Sequence, residues 1–214
     1  GVLMPTPKEG YRNKAGNKIP GTTTVIGSCL GWNKQQLMWW ANQMGLQGKN
    51  HRDESKAAAD IGTQAHAMVE AWIHGQPIPE GDPKALAAYQ EYLEWQKRTR
   101  LVIVETEVKL VSELYQFGST IDAVATHEDG YELPDWKSSN GVYADHLIQL
   151  AAYGMNWSEN NPDKPIKRFH LCRFGKEGGF HHHSWKWSDL SPAWEAFVQL
   201  RKLYDLKKPI ESLL

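Results

Sequence analysis

Near residue 100 the chain changes the period of its hydrophobic pattern, and that change limits the folds open to it. Before it, Ala57, Ile61, Ala65, Met68 and Trp72 recur at spacings of three and four, predicting a helix from about Glu54 to His74. Leu86, Tyr89, Leu93 and Gln96 predict another from Lys84 to about Arg98. After it, period-two alternation with β-branched residues marks strands in "LVIVETEVKLV" (101 to 111), "STIDAVAT" (119 to 126) and "YELPDWK" (131 to 137), a β-meander. Helices and a sheet must therefore share one core.

The punctuation agrees. "NKQQLMWWANQMG" predicts a helix with Asn33 as N-cap and Gly45 as stop. Gly75 ends the Glu54–His74 helix, with His74 at the negative end of its dipole. In "HEDG", Asp129-Gly130 suits a type I′ connection. A helix follows over about Tyr143 to Ser158, then strands at 166 to 174 and 180 to 187, then a helix from about Pro192 to Leu206 after the N-cap candidates Asp189 and Ser191. The first twenty residues read as an irregular arm leading to "IPGTTTVIG", where a Thr run precedes a short apolar stretch. At 214 residues a single domain is expected over 1–214: a mainly helical 1–100, a sheet core over 101–187 and a C-terminal helix over 188–214.

No apolar run approaches the roughly 20 residues that span a bilayer, and no charged-then-apolar leader opens the chain, so a cytoplasmic protein without a membrane partner is expected. Cys29 and Cys172 are too few for a disulfide framework, a four-cysteine zinc site or a four-thiolate iron-sulfur cluster. A net charge of −1 does not announce a nucleic-acid partner, although Lys97, Arg98, Arg100 and Lys164, Lys167, Arg168 are local basic clusters. Ten tryptophans are many for this length; most are expected in the core, leaving a few as stacking platforms for bases.

The hairpin joining "STIDAVAT" to "YELPDWK" carries the chemistry. Two loop types are open to it, and they place Asp122 opposite Asp135 or Lys137. Asp135 and Lys137 share one face while Trp136 points to the other. Cross-strand Cβ atoms lie about 5 Å apart, so the three charges can converge. Two such carboxylates repel unless a cation lies between them, and hard oxygen ligands suit Mg²⁺ or Mn²⁺. An Asp-X-Lys alone is more often a surface ion pair; here Asp122 is expected on the face of Val124 in an apolar, central strand, where a charge needs a partner or a metal.

His66, Glu70 and His74 step by four along one helical stripe. For His74 a solvated face is the better reading; for His66, beside the small residues Gly62 and Ala65 that allow close approach to a sheet, a ligand role and a solvated face stand level. Gln149 and Tyr153 project together from the helix after "DWKSSN", which by itself describes only the wet edge of an amphipathic helix. The triplet His181, His182, His183 alternates faces in a strand and cannot chelate jointly.

In order, "GTQAHAMVE", "FGSTIDAVA", "DWKSS" and "QLAAY" resemble the motifs of the PD-(D/E)XK nuclease superfamily, in its RecB-type and phage exonuclease branch, which includes the mitochondrial genome maintenance exonuclease. The resemblance implies a restriction-endonuclease-like α/β core, a mixed central sheet flanked by helices, with a helical N-terminal region. It implies Asp122, Asp135, the Trp136 carbonyl and His66 as metal ligands, Lys137 in catalysis, Gln149 and Tyr153 in placing DNA, and Glu70 and Glu107 as supporting groups. The implied function is a Mg²⁺- or Mn²⁺-dependent DNA exonuclease in phage or bacterial recombination, repair or replication, without an iron-sulfur cluster. The alternatives are a structure-specific endonuclease and a non-catalytic DNA-binding subunit. A single-strand annealing protein is a candidate partner, and a homo-oligomer is compatible with the resemblance. Ile121, not proline, precedes Asp122, whereas Pro134 precedes Asp135.

Overall fold

A computed structural model describes residues 9–128 and 130–214, the side chains of 54–60 excepted. In chain order it contains β1 (Tyr11–Arg12), β2 (Lys18–Ile19), α1 (Thr22–Cys29), α2 (Lys34–Leu46), α3 (His51–Ile73), α4 (Pro83–Thr99), β3 (Val102–Ser112), β4 (Phe117–His127), β5 (Gly130–Ser138), α5 (Ala144–Asn160), β6 (Ile166–Phe174), β7 (Phe180–Lys186) and α6 (Ser191–Glu211), with a 3-10 turn at Trp187–Leu190.

Strands β3 to β7 make one five-stranded sheet in sequence order. β3, β4 and β5 form the expected antiparallel meander. β6 lies parallel to β5, a pairing that needs the crossover α5 provides, and β7 returns antiparallel. Alternation along the strands supplies both faces. Trp136, Cys172 and Phe174 pack with Met68, Val69, Tyr92 and Trp95 of α3 and α4. Leu133, Phe169 and Leu171 pack with Leu150, Tyr153 and Trp157 of α5. Val25, Ile26, Phe117, Ile148 and Phe197 tie α1 and α6 to α5. The fold is a mixed α/β sheet flanked by helices, as expected.

Two glycines set the spacing around the centre of the sheet. A Cβ on Gly62 would stand 2.8 Å from Ser138 Cβ and 3.0 Å from the Phe174 carbonyl, so only glycine lets α3 approach this closely, as expected from Gly62. The Tyr11 ring occupies the space a Cβ on Gly118 would need, and its hydroxyl meets Thr120 Oγ1 at 2.7 Å, which lays the β1–β2 hairpin against β4.

Boundaries moved where local chemistry outweighed periodicity. The Thr run of "IPGTTTVIG" is helical, forming α1. Gly45 lies inside α2, and Gly48, at φ +68°, takes the left-handed position beyond its end. α3 starts earlier than Glu54 because the Asn50 side chain accepts from the Arg52 N–H at 3.0 Å. Asp189 accepts from the Lys186 N–H and so caps the 3-10 turn, while Ser191 is the first residue of α6, which continues through Pro209 to Glu211. In the β4–β5 hairpin His127 pairs with Gly130, so Gly130 opens β5 instead of sitting in the turn, and Glu128 takes the positive φ of +48°. Asp129, the arm over 1–8 and the facing of Ala57 lie outside what is described. Among the described residues no helix is long and apolar enough to cross a membrane.

Candidate active site

Three charged side chains are buried together in the sheet: Asp122 on β4 at 7% exposure, with Asp135 and Lys137 on β5 at 1% and 7%. The hairpin adopts the register that sets Asp122 across from Asp135, fixed by the pairs Thr126↔Tyr131 and Ala125↔Glu132. The Trp136 N–H donates to Asp122 Oδ2 at 3.1 Å, and Lys137 Nζ lies 2.9 Å from Asp135 Oδ2. Asp122 Oδ1 and Asp135 Oδ1 are buried with no hydrogen-bond partner among the described residues. Buried carboxylate oxygens without partners are costly, and a native fold that keeps two of them side by side needs a reason.

The electrostatics show that cost. Burial, and then the charge of Asp135, pushes the Asp122 carboxyl well above the usual carboxylate range, only partly offset by Lys137. Burial alone would lower the Lys137 pKa, but Asp135, Asp122 and Asp145 together raise it, so the side chain is an ammonium. On the α5 side the Tyr153 phenol is raised by burial and then by Asp135 and Asp122, while Gln149 Nε2 donates to its hydroxyl at 2.8 Å. Gln149 and Tyr153 are 6% and 2% exposed, so they are not a wet edge; they lie beneath the carboxylates.

On the α3 side a small pocket is lined by Glu70, Ile73, His74, Thr106, Glu107, Asp122 and Trp136. Glu107 falls opposite Asp122, between the pairs Thr106↔Ala123 and Val108↔Ile121, with φ +50°. A left-handed glutamate in a strand costs on the order of 1–3 kcal/mol, a kink retained beside the carboxylates. It also breaks strand alternation. Ile121 and Val124 both pack toward α5, whereas Asp122 opens toward α3, so Asp122 does not share the face of Val124 as expected. His66 is buried at 3% exposure, its ring stacked 6.4 Å from Phe174, with Nε2 3.3 Å from Glu70 Oε1 but not aligned as a hydrogen bond. That contact holds the Glu70 carboxyl below its usual value. His74 is exposed, as the solvated reading required.

Among the described residues no three His, Cys, Asp or Glu side chains converge to hold a metal ion on their own. The two orphaned Oδ1 atoms fit a hard cation, which would remove both the repulsion and the missing partners. The structure thus joins Asp122, Asp135, Lys137, Gln149 and Tyr153 in one neighbourhood, and sets Glu70 and Glu107 at its rim with His66 behind Glu70. Two neighbours were not anticipated. Tyr11 comes in from the arm to line a small pocket with Thr120 and Tyr153. His146, pushed down to about 4 by burial and by Lys137, sits one turn before Gln149; extending the stripe of Gln149 and Tyr153 back three residues would have found it.

A second polar cluster lies on the same sheet. Glu132 Oε2 meets His170 Nε2 at 2.7 Å, His170 Nδ1 meets His182 Nε2 at 2.8 Å, and His127 Nδ1 stands 3.9 Å from Glu132 Oε1. Of the histidine triplet, His182 turns to His170 while His183 stacks near Trp185, as strand alternation predicts.

No family model matches the chain, and no curated protein matches it in sequence. Among solved structures it is similar to a Eubacterium rectale protein provisionally described as an exonuclease, at 13% identity and a TM-score of 0.47. That alignment covers 65% of this chain and 64% of the other, so this chain spans just under two thirds of that protein. It is also similar to the alkaline exonuclease LHK-Exo of Laribacter hongkongensis at 11% identity and a TM-score of 0.31, covering 71% of this chain and 86% of that one. The complex of LHK-Exo with dAMP aligns at 14% identity and a TM-score of 0.37, over 73% and 88%.

Proposed function

We propose that the chain is a metal-dependent deoxyribonuclease of the RecB-type branch of the PD-(D/E)XK superfamily, hydrolysing phosphodiester bonds from DNA ends. The observation that carries this reading is the buried Asp122–Asp135 pair, each with an unpartnered Oδ1, beside the Lys137 ammonium. Asp122, Asp135 and the Trp136 carbonyl would hold Mg²⁺ or Mn²⁺, joined by His66 once it leaves Glu70. When bound, the ion supplies positive charge against the scissile phosphate and acidifies a water.

The chain's own residues do the rest. Lys137, kept as an ammonium by three carboxylates, orients the attacking water and offsets the charge that develops on the phosphate oxygens. Gln149 and Tyr153, bonded to each other under the carboxylates, fix the floor against which the DNA strand is placed. Glu70 and Glu107, at the mouth of the pocket beside Asp122, hold His66 and the water shell around the carboxylates in position. The setting is recombination, repair or replication in a phage or bacterium, with an annealing protein as candidate partner and a homo-oligomer as candidate assembly.

End-labelled linear DNA and covalently closed circles, each with Mg²⁺, Mn²⁺ or EDTA, test the reading. Stepwise loss of linear DNA alone, stopped by EDTA, is expected. Cleavage of circles would point to the endonuclease, and DNA binding without cleavage to the non-catalytic subunit.

A further inference from the structure

We propose that α2 and the turn before it form a binding platform for single-stranded DNA, on which Trp32 and Trp39 stack bases. This inference deepens the nuclease reading and rests on it for the identity of the substrate.

Every residue from Gly31 to Trp39 is exposed, and α2 buries none of its residues. Trp32 is 69% exposed, Trp39 65%, Met38 73% and Leu37 56%. A helix that offers its apolar side chains to solvent is either a docking face or a liability. Trp39 lies in the second turn of α2 and Trp32 in the turn just before the helix, seven residues apart in sequence and both exposed. Two large flat rings so exposed present π-faces to bases without reading their identity.

The charges name the occupant. From Gly10 to Arg52 the sequence has six Lys and Arg and not one Asp or Glu, within a chain whose net charge is −1. Lys34, Lys49 and Arg52 flank the tryptophans and are exposed, and between them lie neutral amides, Gln35, Gln36, Asn42, Gln43 and Gln47. A cationic surface with aromatic interleaving complements a phosphate backbone with unstacked bases. Another exposed apolar stripe, Leu203, Leu206 and Ile210 on α6, is aliphatic and offers no flat ring to a base, and its flanking Arg201 and Lys207 are already paired with Asp205 and Glu211.

Topology connects the platform to the carboxylates. α2 passes through the left-handed Gly48 directly into α3, and α3 carries His66 and Glu70. From His51 to His66 the helix rises about 22 Å, so a strand stacked on α2 lies a few nucleotides from the bonds to be cut. Trp40, by contrast, is half-buried, with its ring edge-on to that of His51 at 6.3 Å, a contact between α2 and the start of α3.

The test is anisotropy of labelled oligothymidine of about 20 nucleotides, a length that covers a typical single-strand site, titrated with the full chain in EDTA. Because no divalent ion is present, the result does not depend on cleavage, and the platform and the nuclease reading can fail separately. The double variant Trp32→Ala, Trp39→Ala, altered only at exposed positions, is expected to bind at least about tenfold more weakly. Lys34→Gln with Lys49→Gln is expected to flatten the salt dependence by about 0.7 per lost phosphate contact. Equal affinity of wild type and the tryptophan variant would overturn the proposal. So would an equal loss on heparin, a polyanion without bases, or the finding that the tryptophans hold together a concentration-dependent dimer.

Discussion

The two ends of β5 treat buried charge in opposite ways. At its beginning, Glu132 is bonded to His170, which is bonded to His182, so the chain of polar atoms closes on itself. Three residues on, Asp135 and its neighbour Asp122 keep oxygens without partners, next to a strained Glu107. Both clusters lie on the same sheet. A closed network rigidifies; an open one with repelling carboxylates lowers stability and is retained for what it binds.

The largest expected effects separate the two ends by function. Asp122→Asn and Asp135→Asn should each lower Mg²⁺-dependent cleavage about a thousandfold or more, since several kcal/mol of charge stabilisation is lost. Glu132→Gln, assayed well below its melting temperature, should stay within a few-fold of wild type. Lys137→Ala should lose about a hundred- to a thousandfold in turnover while metal and DNA binding persist in titrations. Turnover near wild type would remove Lys137 from catalysis.

Stability should reverse the ranking. Glu132→Gln weakens a charge-assisted bond and is expected to cost about 2 kcal/mol, or roughly 4–8 °C in Tm. Asp122→Asn keeps an oxygen for the Trp136 N–H and removes the repulsion, so the metal-free variant should melt about 2–4 °C above wild type. The sign follows from linkage. A carboxyl whose pKa is raised on folding loses stability as pH climbs from the ordinary carboxylate value through the raised one, so the gap between variant and wild type should widen over that window. If Asp122→Asn melts lower at every pH, the open cluster is structural after all.

The smallest effect belongs to His182, whose pKa burial and then His170 push down to about 4. The unfolded chain then binds the extra proton first, so stability should fall as pH drops from about 6.5 toward that value. His182→Gln should flatten this part of a melting-temperature profile.

Much of this was legible in the sequence because strand and helix periods are local. The alternation of β3 to β7 and the three-four spacing of α3 and α4 located the elements, and one hairpin register brought Asp122 to Asp135. Gly62 announced a close helix-to-sheet approach, which the contact with Ser138 realises. What stayed hidden depends on irregular backbone or on chain distance. The left-handed Glu107 carries no glycine or asparagine to announce it, so the loss of alternation at Asp122 was unreadable. Tyr11 arrives from over a hundred residues away, and its seat above Gly118 is visible only once the arm is folded onto β4. The Glu132–His170–His182 chain joins three strands whose order no local pattern specifies.

Cleavage of end-labelled linear DNA by wild type, Asp135→Asn and Glu132→Gln, side by side with Mg²⁺ and with EDTA, tests the central contrast most directly. Cleavage by wild type and Glu132→Gln with Mg²⁺ only, and none by Asp135→Asn, is the predicted result. Cleavage by Asp135→Asn at the wild-type rate, or its loss in the Glu132 variant instead, would contradict the assignment of the open cluster as the active site.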